Sequence, residues 1–218
     1  MILKKLLVSA GALIGIWAIY GPMASAFARK KPKRWGELVL TFDDGPDEIV
    51  TPKVLDVLKR KNLKGIFFLT GTAIKGREHI VRRIAKEGHE IGVHGQSHIN
   101  HLWQSPSRTK RDVQEGYDSI VNCGVVPIYY RGPYGAYNTM TLLQCKKLGL
   151  QVLHWDGIHG DWEINPVGKL AYSLNHVHMS GGVVVLHDGR MGKGQIGANE
   201  KMVEELEMFL ILREKLVA

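Results

Sequence analysis

Short apolar runs alternating with amphipathic stretches dominate the chain from Gly36 onward, and this pattern leaves few folds open. Glu37–Phe42 (ELVLTF), Gly65–Leu69 (GIFFL), His89–Val93, Pro127–Tyr130, Leu150–Trp155 and Gly182–Leu186 read as strands. A strand apolar on both faces must be covered on both faces, which is the situation in a parallel sheet flanked by helices. Helices are predicted over Thr51–Asn62, Ile74–Glu87, Ser107–Asn122, Asn138–Leu148 and Pro166–Met179, with a last one from about Ala198 to Lys215. Thr51 reads as the N-cap of the first, with Pro52 at its first position. Six alternations of strand and helix predict an α/β fold. Most of the unusual polar clusters fall just after strand ends, which favours a barrel whose carboxyl-end loops carry the chemistry. An open doubly wound sheet is the alternative, although the Gly-rich dinucleotide fingerprint is missing. The 218 residues, 44% of them hydrophobic, suit one domain with a substantial core.

The first 26 residues do not belong to that pattern. Lys4 and Lys5 precede an apolar run from Leu6 to Tyr20, and Ala24-Ser25-Ala26 follows. This is the anatomy of a secretory signal; held uncleaved, the same segment is long enough to be a membrane anchor. Residues 27–35 read as a basic linker and 36–218 as the domain, which would work outside the cytoplasmic membrane. The net charge of +8 looks at first like a nucleic-acid footprint. Residues 1–26 hold two lysines and no acid, which leaves +6, and five of those charges lie between Arg29 and Arg34. The basicity therefore belongs to an arm suited to anionic lipid or an anionic wall polymer, and nucleic acid is not an expected partner. Cys123 and Cys145 lack metal-ligand spacing and read as two buried free thiols.

Five clusters carry chemistry. Thr41-Phe42-Asp43-Asp44-Gly45-Pro46 closes the first strand with two adjacent carboxylates that point different ways, so one can bind a cation while the other takes a proton. His94-Gly95-Gln96-Ser97-His98 follows the third strand. Histidines four apart on a helical turn can grip one ion, and His101 is a spare ligand if the turn continues. Two imidazoles and a carboxylate suit zinc, or cobalt, manganese or iron, with positions left open. Arg131-Gly132-Pro133-Tyr134-Gly135 combines a rigid turn, whose backbone N–H groups can bind an oxyanion, with a guanidinium that can keep a carboxylate ionised. Trp155-Asp156 through Asp161-Trp162 supplies carboxylates and an aromatic wall. In Val185-Leu186-His187-Asp188-Gly189 a histidine ends an apolar strand, the right type for a general acid.

In this order, the five clusters resemble the motifs of the NodB-homology polysaccharide deacetylases, carbohydrate esterase family four. The resemblance implies a distorted (β/α) barrel, expected to be incomplete here because the family's last strand is not found, and one divalent metal ion, usually zinc. It implies Asp44, His94 and His98 as metal ligands, Asp43 as general base and His187 as general acid. Arg131 would tune the base and Asp161 orient the acid. The Tyr134 backbone N–H would bind the oxyanion, and Trp162 and Val185 would wall the acetyl pocket. The implied reaction is removal of N-acetyl groups from an amino-sugar polymer such as peptidoglycan or a chitin-like oligosaccharide. Alternatives are a deacetylase of a small or non-sugar amide, and a membrane-tethered wall-binding module with an inactive site. Three departures stand out: Gly95 where the family has Ser or Thr, Val185 where it has Leu, and Ile158 where it often has Asp. The chain also ends on a helix where the family adds a last apolar strand, so how the barrel closes is left open.

Overall fold

A computed structural model describes residues 38–178, 181–191 and 194–217. The leader and basic linker expected over residues 1–35 lie outside the described residues. The strands are β1 Leu38–Asp43, β2 Gly65–Leu69, β3 Glu90–Val93, β4 Tyr129–Tyr130, β5 Gln151–Val152 and β6 Gly182–His187. The helices are α1 Val50–Arg60, α2 Gly71–Ile74, α3 Glu78–Lys86, α4 Pro106–Val121, α5 Thr139–Lys147, α6 Lys169–His178 and α7 Ala198–Val217. All pairings are parallel, in the order β5-β4-β3-β2-β1-β6.

The curled sheet buries both faces, which is why its strands read as continuous apolar runs. Leu40, Phe42, Phe67, Leu69, Ile91, Val93, Val184 and Leu186 face outward into the main core beneath the helices. Val39, Ile66, Phe68 and Val183 face inward and meet Leu153 in a smaller cluster. At about 25 cal/mol per Å², burying these side chains is the main stabilising term.

The barrel is incomplete, as expected, and its gap is spanned by the chain that follows β5. Leu153 N–H donates to the Tyr130 carbonyl on one edge. Three residues on, Asp156 N–H donates to the Val183 carbonyl on the other, and the Asp156 carboxylate accepts from Val183 N–H at 2.7 Å. The strand predicted to Trp155 therefore shortens to β5, because the segment leaves β4 to cross towards β6. The last helix, α7, packs on α6, α1 and β6. Its buried Glu205 accepts from Gly168 N–H at 2.6 Å and Ala171 N–H at 3.0 Å, capping the start of α6.

Two local expectations are corrected. Thr51 is not an N-cap: it lies inside α1, and the Asp47 carboxylate accepts from Ile49 N–H and Val50 N–H, each at 2.8 Å. A carboxylate is the stronger acceptor at that end of a helix. The helix predicted over Ile74–Glu87 is two helices, broken at Lys75 and Gly76, where Gly76 takes φ +81°. Cys123 and Cys145 are free and buried, and burial pushes both thiols up, away from reactivity. Among the described residues, no helix is long and apolar enough to cross a membrane.

Candidate active site

Parallel strands bring their carboxyl ends to one rim. Asp43 ends β1, His94 follows β3, Arg131 follows β4 and His187 ends β6, so the topology gathers residues scattered over much of the chain. Asp44 takes φ +73°, which breaks the strand alternation and turns its carboxylate away from that of Asp43. Gly189 allows the close approach here: a Cβ on it would lie 2.3 Å from the Asp44 carbonyl group.

Asp43 faces the barrel interior. Arg131, fully buried, donates from Nη1 to Asp43 Oδ1 at 2.7 Å and to Thr41 Oγ1 at 2.6 Å, and from Nε to the Leu153 carbonyl at 3.1 Å. Its guanidinium carbon lies 4.0 Å from the centre of the Phe68 ring. A buried carboxylate held by a buried, planar guanidinium is fixed in its orientation.

Asp44 Oδ1 faces His98 Nε2 at 3.0 Å and His94 Nε2 at 3.4 Å, yet this buried oxygen makes no hydrogen bond. One donor atom from each residue lies within 4.8 Å of the other two. His94 Nδ1 sits 2.8 Å from the Arg131 carbonyl, a contact that orients the ring with Nε2 towards Asp44. Burial would raise the Asp44 carboxyl, but His94 and His98 beside it hold it well below the usual carboxylate range. Two imidazole nitrogens and a carboxylate oxygen converging on one point, the oxygen buried and without a hydrogen bond, fit a divalent cation.

The histidine loop is not a helical turn: Gly95 has φ +75° and His98 φ +51°. The two rings still converge, with centroids 5.2 Å apart. His101 is not a spare ligand. It is fully buried, with Nε2 3.0 Å from Asp112 and Nδ1 3.1 Å from Thr141 Oγ1, because the chain turns inward after His98.

Across the cavity, His187 Nδ1 lies 3.0 Å from Asp161 Oδ1, and His187 N–H donates to Asp161 Oδ2 at 2.6 Å. Burial opposes a charge on this imidazole, but the paired carboxylate prevails and raises its pKa to about 10. Asp156, the other acid of the fourth cluster, is occupied by Val183 N–H.

A cavity of 340 Å³ is lined by Asp43, Asp44, His94, His98, Tyr134, Asp161, Trp162, Val185 and His187, with Arg131 directly behind Asp43. Tyr134 takes φ +59° and stands edge-on to His98, with ring centroids 4.8 Å apart. Trp162 stands edge-on to His187 at 5.6 Å. Sequence reasoning missed Gln195, in the loop before α7, and Asn199, in its first turn, which also line the cavity. Nothing local to those residues signals it. It also gave no role to Asp188. That side chain is fully buried, accepts the Thr51 hydroxyl at 2.5 Å, and is raised to about 7 mainly by burial.

The family model described as polysaccharide deacetylase matches residues 30–153, more than half of the chain. The chain belongs to the polysaccharide deacetylase family. A member from Bradyrhizobium sp. (strain ANU 289), a chitooligosaccharide deacetylase, is 31% identical over 159 residues, covering 69% of each chain. The peptidoglycan-N-acetylglucosamine deacetylase of Listeria monocytogenes is 34% identical over 166 residues, 72% of this chain. This chain spans about a third of the Listeria protein, 34% of its length. Among solved structures, the Bc1960 peptidoglycan N-acetylglucosamine deacetylase superposes with a TM-score of 0.74 at 28% identity, covering 86% of both chains. The family fold and the curled six-stranded sheet thus agree.

Proposed function

We propose that this polysaccharide deacetylase is a metal-dependent hydrolase that removes N-acetyl groups from an amino-sugar polymer, peptidoglycan or a chitin-like oligosaccharide. The observation that carries the reading is one cavity holding three kinds of chemistry: the Asp44–His94–His98 donor set, the Asp43–Arg131 pair and the His187–Asp161 pair. The names of the relatives supply the substrate class.

Asp44, His94 and His98 would hold one divalent ion, zinc being the best match to two imidazoles and a carboxylate. Such an ion supplies Lewis-acid polarisation of the acetamide carbonyl and acidifies water. Asp43, held in place by Arg131, takes the proton of the attacking water as its oxygen bonds to the carbonyl carbon. The Tyr134 backbone N–H supports the oxyanion. The amine cannot leave unprotonated, so His187, charged through Asp161, delivers a proton to nitrogen as the carbon–nitrogen bond breaks. Acetate and a free amino sugar result. Trp162 and Val185 enclose the acetyl methyl, and Arg131 and Asp161 hold the base and the acid in place.

Residues 36–218 form the deacetylase domain in this reading. The segment 1–26, as signal peptide or anchor, and the basic linker 27–35 place it outside the cytoplasmic membrane beside its polymer, where the basic arm meets anionic lipid or wall polymer.

The test measures bound metal and acetate release from peptidoglycan, N-acetylglucosamine oligomers and a small acetamide. Release from the polymers in a metal-loaded sample supports the proposal. Release from the small acetamide alone moves the substrate class to a non-sugar amide. A protein that neither binds metal nor releases acetate sinks the enzyme reading.

A further inference from the structure

The proposed chemistry makes no use of Asp112 and His101, although both are buried and charged or polar groups are costly to bury. Asp112 lies on α4, 4% exposed, and faces the loop that carries His94 and His98. Its Oδ1 accepts from Ser97 N–H at 2.9 Å and its Oδ2 lies 3.0 Å from His101 Nε2. Two glycines permit the contact. A Cβ on Gly95 would lie 2.5 Å from Asp112 Oδ2, and a Cβ on Gly116, one turn further along α4, would lie 2.7 Å from the Gly95 carbonyl carbon.

The network continues away from the site. His101 Nδ1 reaches Thr141 Oγ1 at 3.1 Å and the Tyr130 hydroxyl at 3.2 Å, and the His101 carbonyl accepts from Asn138 Nδ2 at 2.6 Å. Asn138 and Thr141 form the capping box of α5. A chain of hydrogen bonds therefore runs from the start of α5 through His101 and Asp112 to the backbone N–H of Ser97. The next residue is His98, whose φ of +51° is a conformation that a side chain bearing a Cβ adopts only when its surroundings impose it.

We propose that Asp112, oriented by His101, is a positioning residue for the metal site: by fixing the Ser97 amide it holds His98 in its left-handed conformation with Nε2 turned to Asp44. The inference rests on the metal reading above. Its consequence is that metal affinity is set partly by a carboxylate that touches no ligand side chain. Support behind the ligands commonly changes affinity by about 10- to 100-fold.

The test uses the full chain with cobalt(II) as the probe, read by its absorption spectrum and by competition with a chelator. Asp112→Ala should bind cobalt about 10- to 100-fold more weakly, with an altered spectrum. Asp112→Asn keeps an acceptor for Ser97 N–H and should stay close to wild type. Thermal midpoints of the metal-free proteins register general destabilisation separately. Folded Asp112→Ala with wild-type affinity and spectrum overturns the inference alone. If that variant does not fold, Asp112→Glu, which keeps the charge but displaces the carboxylate from Ser97, carries the test with the same readout and the same criterion. Wild-type protein that takes up no cobalt overturns the metal reading, and this inference with it.

Discussion

At the scale of single residues, His187 and Asp161 give the sharpest expectations. His187→Ala should lower acetate release from an N-acetylglucosamine oligomer by about 100-fold or more while metal content stays at the wild-type level, since the imidazole supplies a proton and no ligand atom. Full activity in that variant would remove His187 from the role of acid. The Asp161 carboxylate raises the imidazole to about 10. Because the folded value lies above the free value of about 6.5, pairing stabilises the fold fully below about 6.5, and the contribution is lost as pH rises through about 10. Asp161→Asn should therefore bring the alkaline limb of the pH–rate profile down by about 1–2 units, and an unmoved limb would contradict the pairing as its cause. Gly189 shows residue-scale legibility at its limit. Its place in a strand-end motif was readable, while its reason, an Asp44 backbone lying where a Cβ would stand, belongs to another strand.

At the scale of elements, boundaries depended on hydrogen bonds and backbone turns that hydrophobic period does not reveal. Thr51 and Pro52 look like the start of a helix, but α1 begins at Val50 because the Asp47 carboxylate has already taken the first amides. His94 and His98 look like helix neighbours, yet they sit in a loop bent at Gly95 and His98. The strand-end placement of four of the five clusters was legible, because those apolar runs end where turn chemistry begins; the fourth lies beyond β5, in the crossing segment. The capping of α6 was not: its acceptor is Glu205, more than thirty residues on, in the middle of what reads as an ordinary amphipathic helix. Glu205→Ala strips two amides of their acceptor and should cost about 1–3 kcal/mol, measured as a lower urea midpoint at unchanged slope.

At the scale of the whole molecule, Arg131 joins the pieces. It ties β1 through Thr41 and Asp43 to the crossing segment at Leu153, inside the curl of the sheet. Arg131→Ala would leave the buried Asp43 carboxylate unpaired, and a loss of about 3–5 kcal/mol is expected in denaturant unfolding, together with loss of turnover. Near-wild-type stability would mean that water or a neighbour already satisfies Asp43. Metal should act on the whole fold in the opposite sense. At free zinc about 100 times its Kd, the midpoint should rise by the equivalent of about 2.7 kcal/mol, and a chelator should reverse it. An unchanged midpoint would argue against a site that exists only in the folded chain.

By itself the sequence determined the alternation of buried strands and helices and the candidate groups, because hydrophobic period and strand-end chemistry are local properties; the barrel was implied by the resemblance of the motifs. Only the tertiary structure decided which of those groups meet. It put His101 behind the site against Asp112, took Asp156 to the edge of β6, and closed the gap with the segment after β5. The physical reason is the same in each case. A buried polar atom must find a partner, and the partner is supplied by whichever distant segment the sheet order brings within about 3 Å.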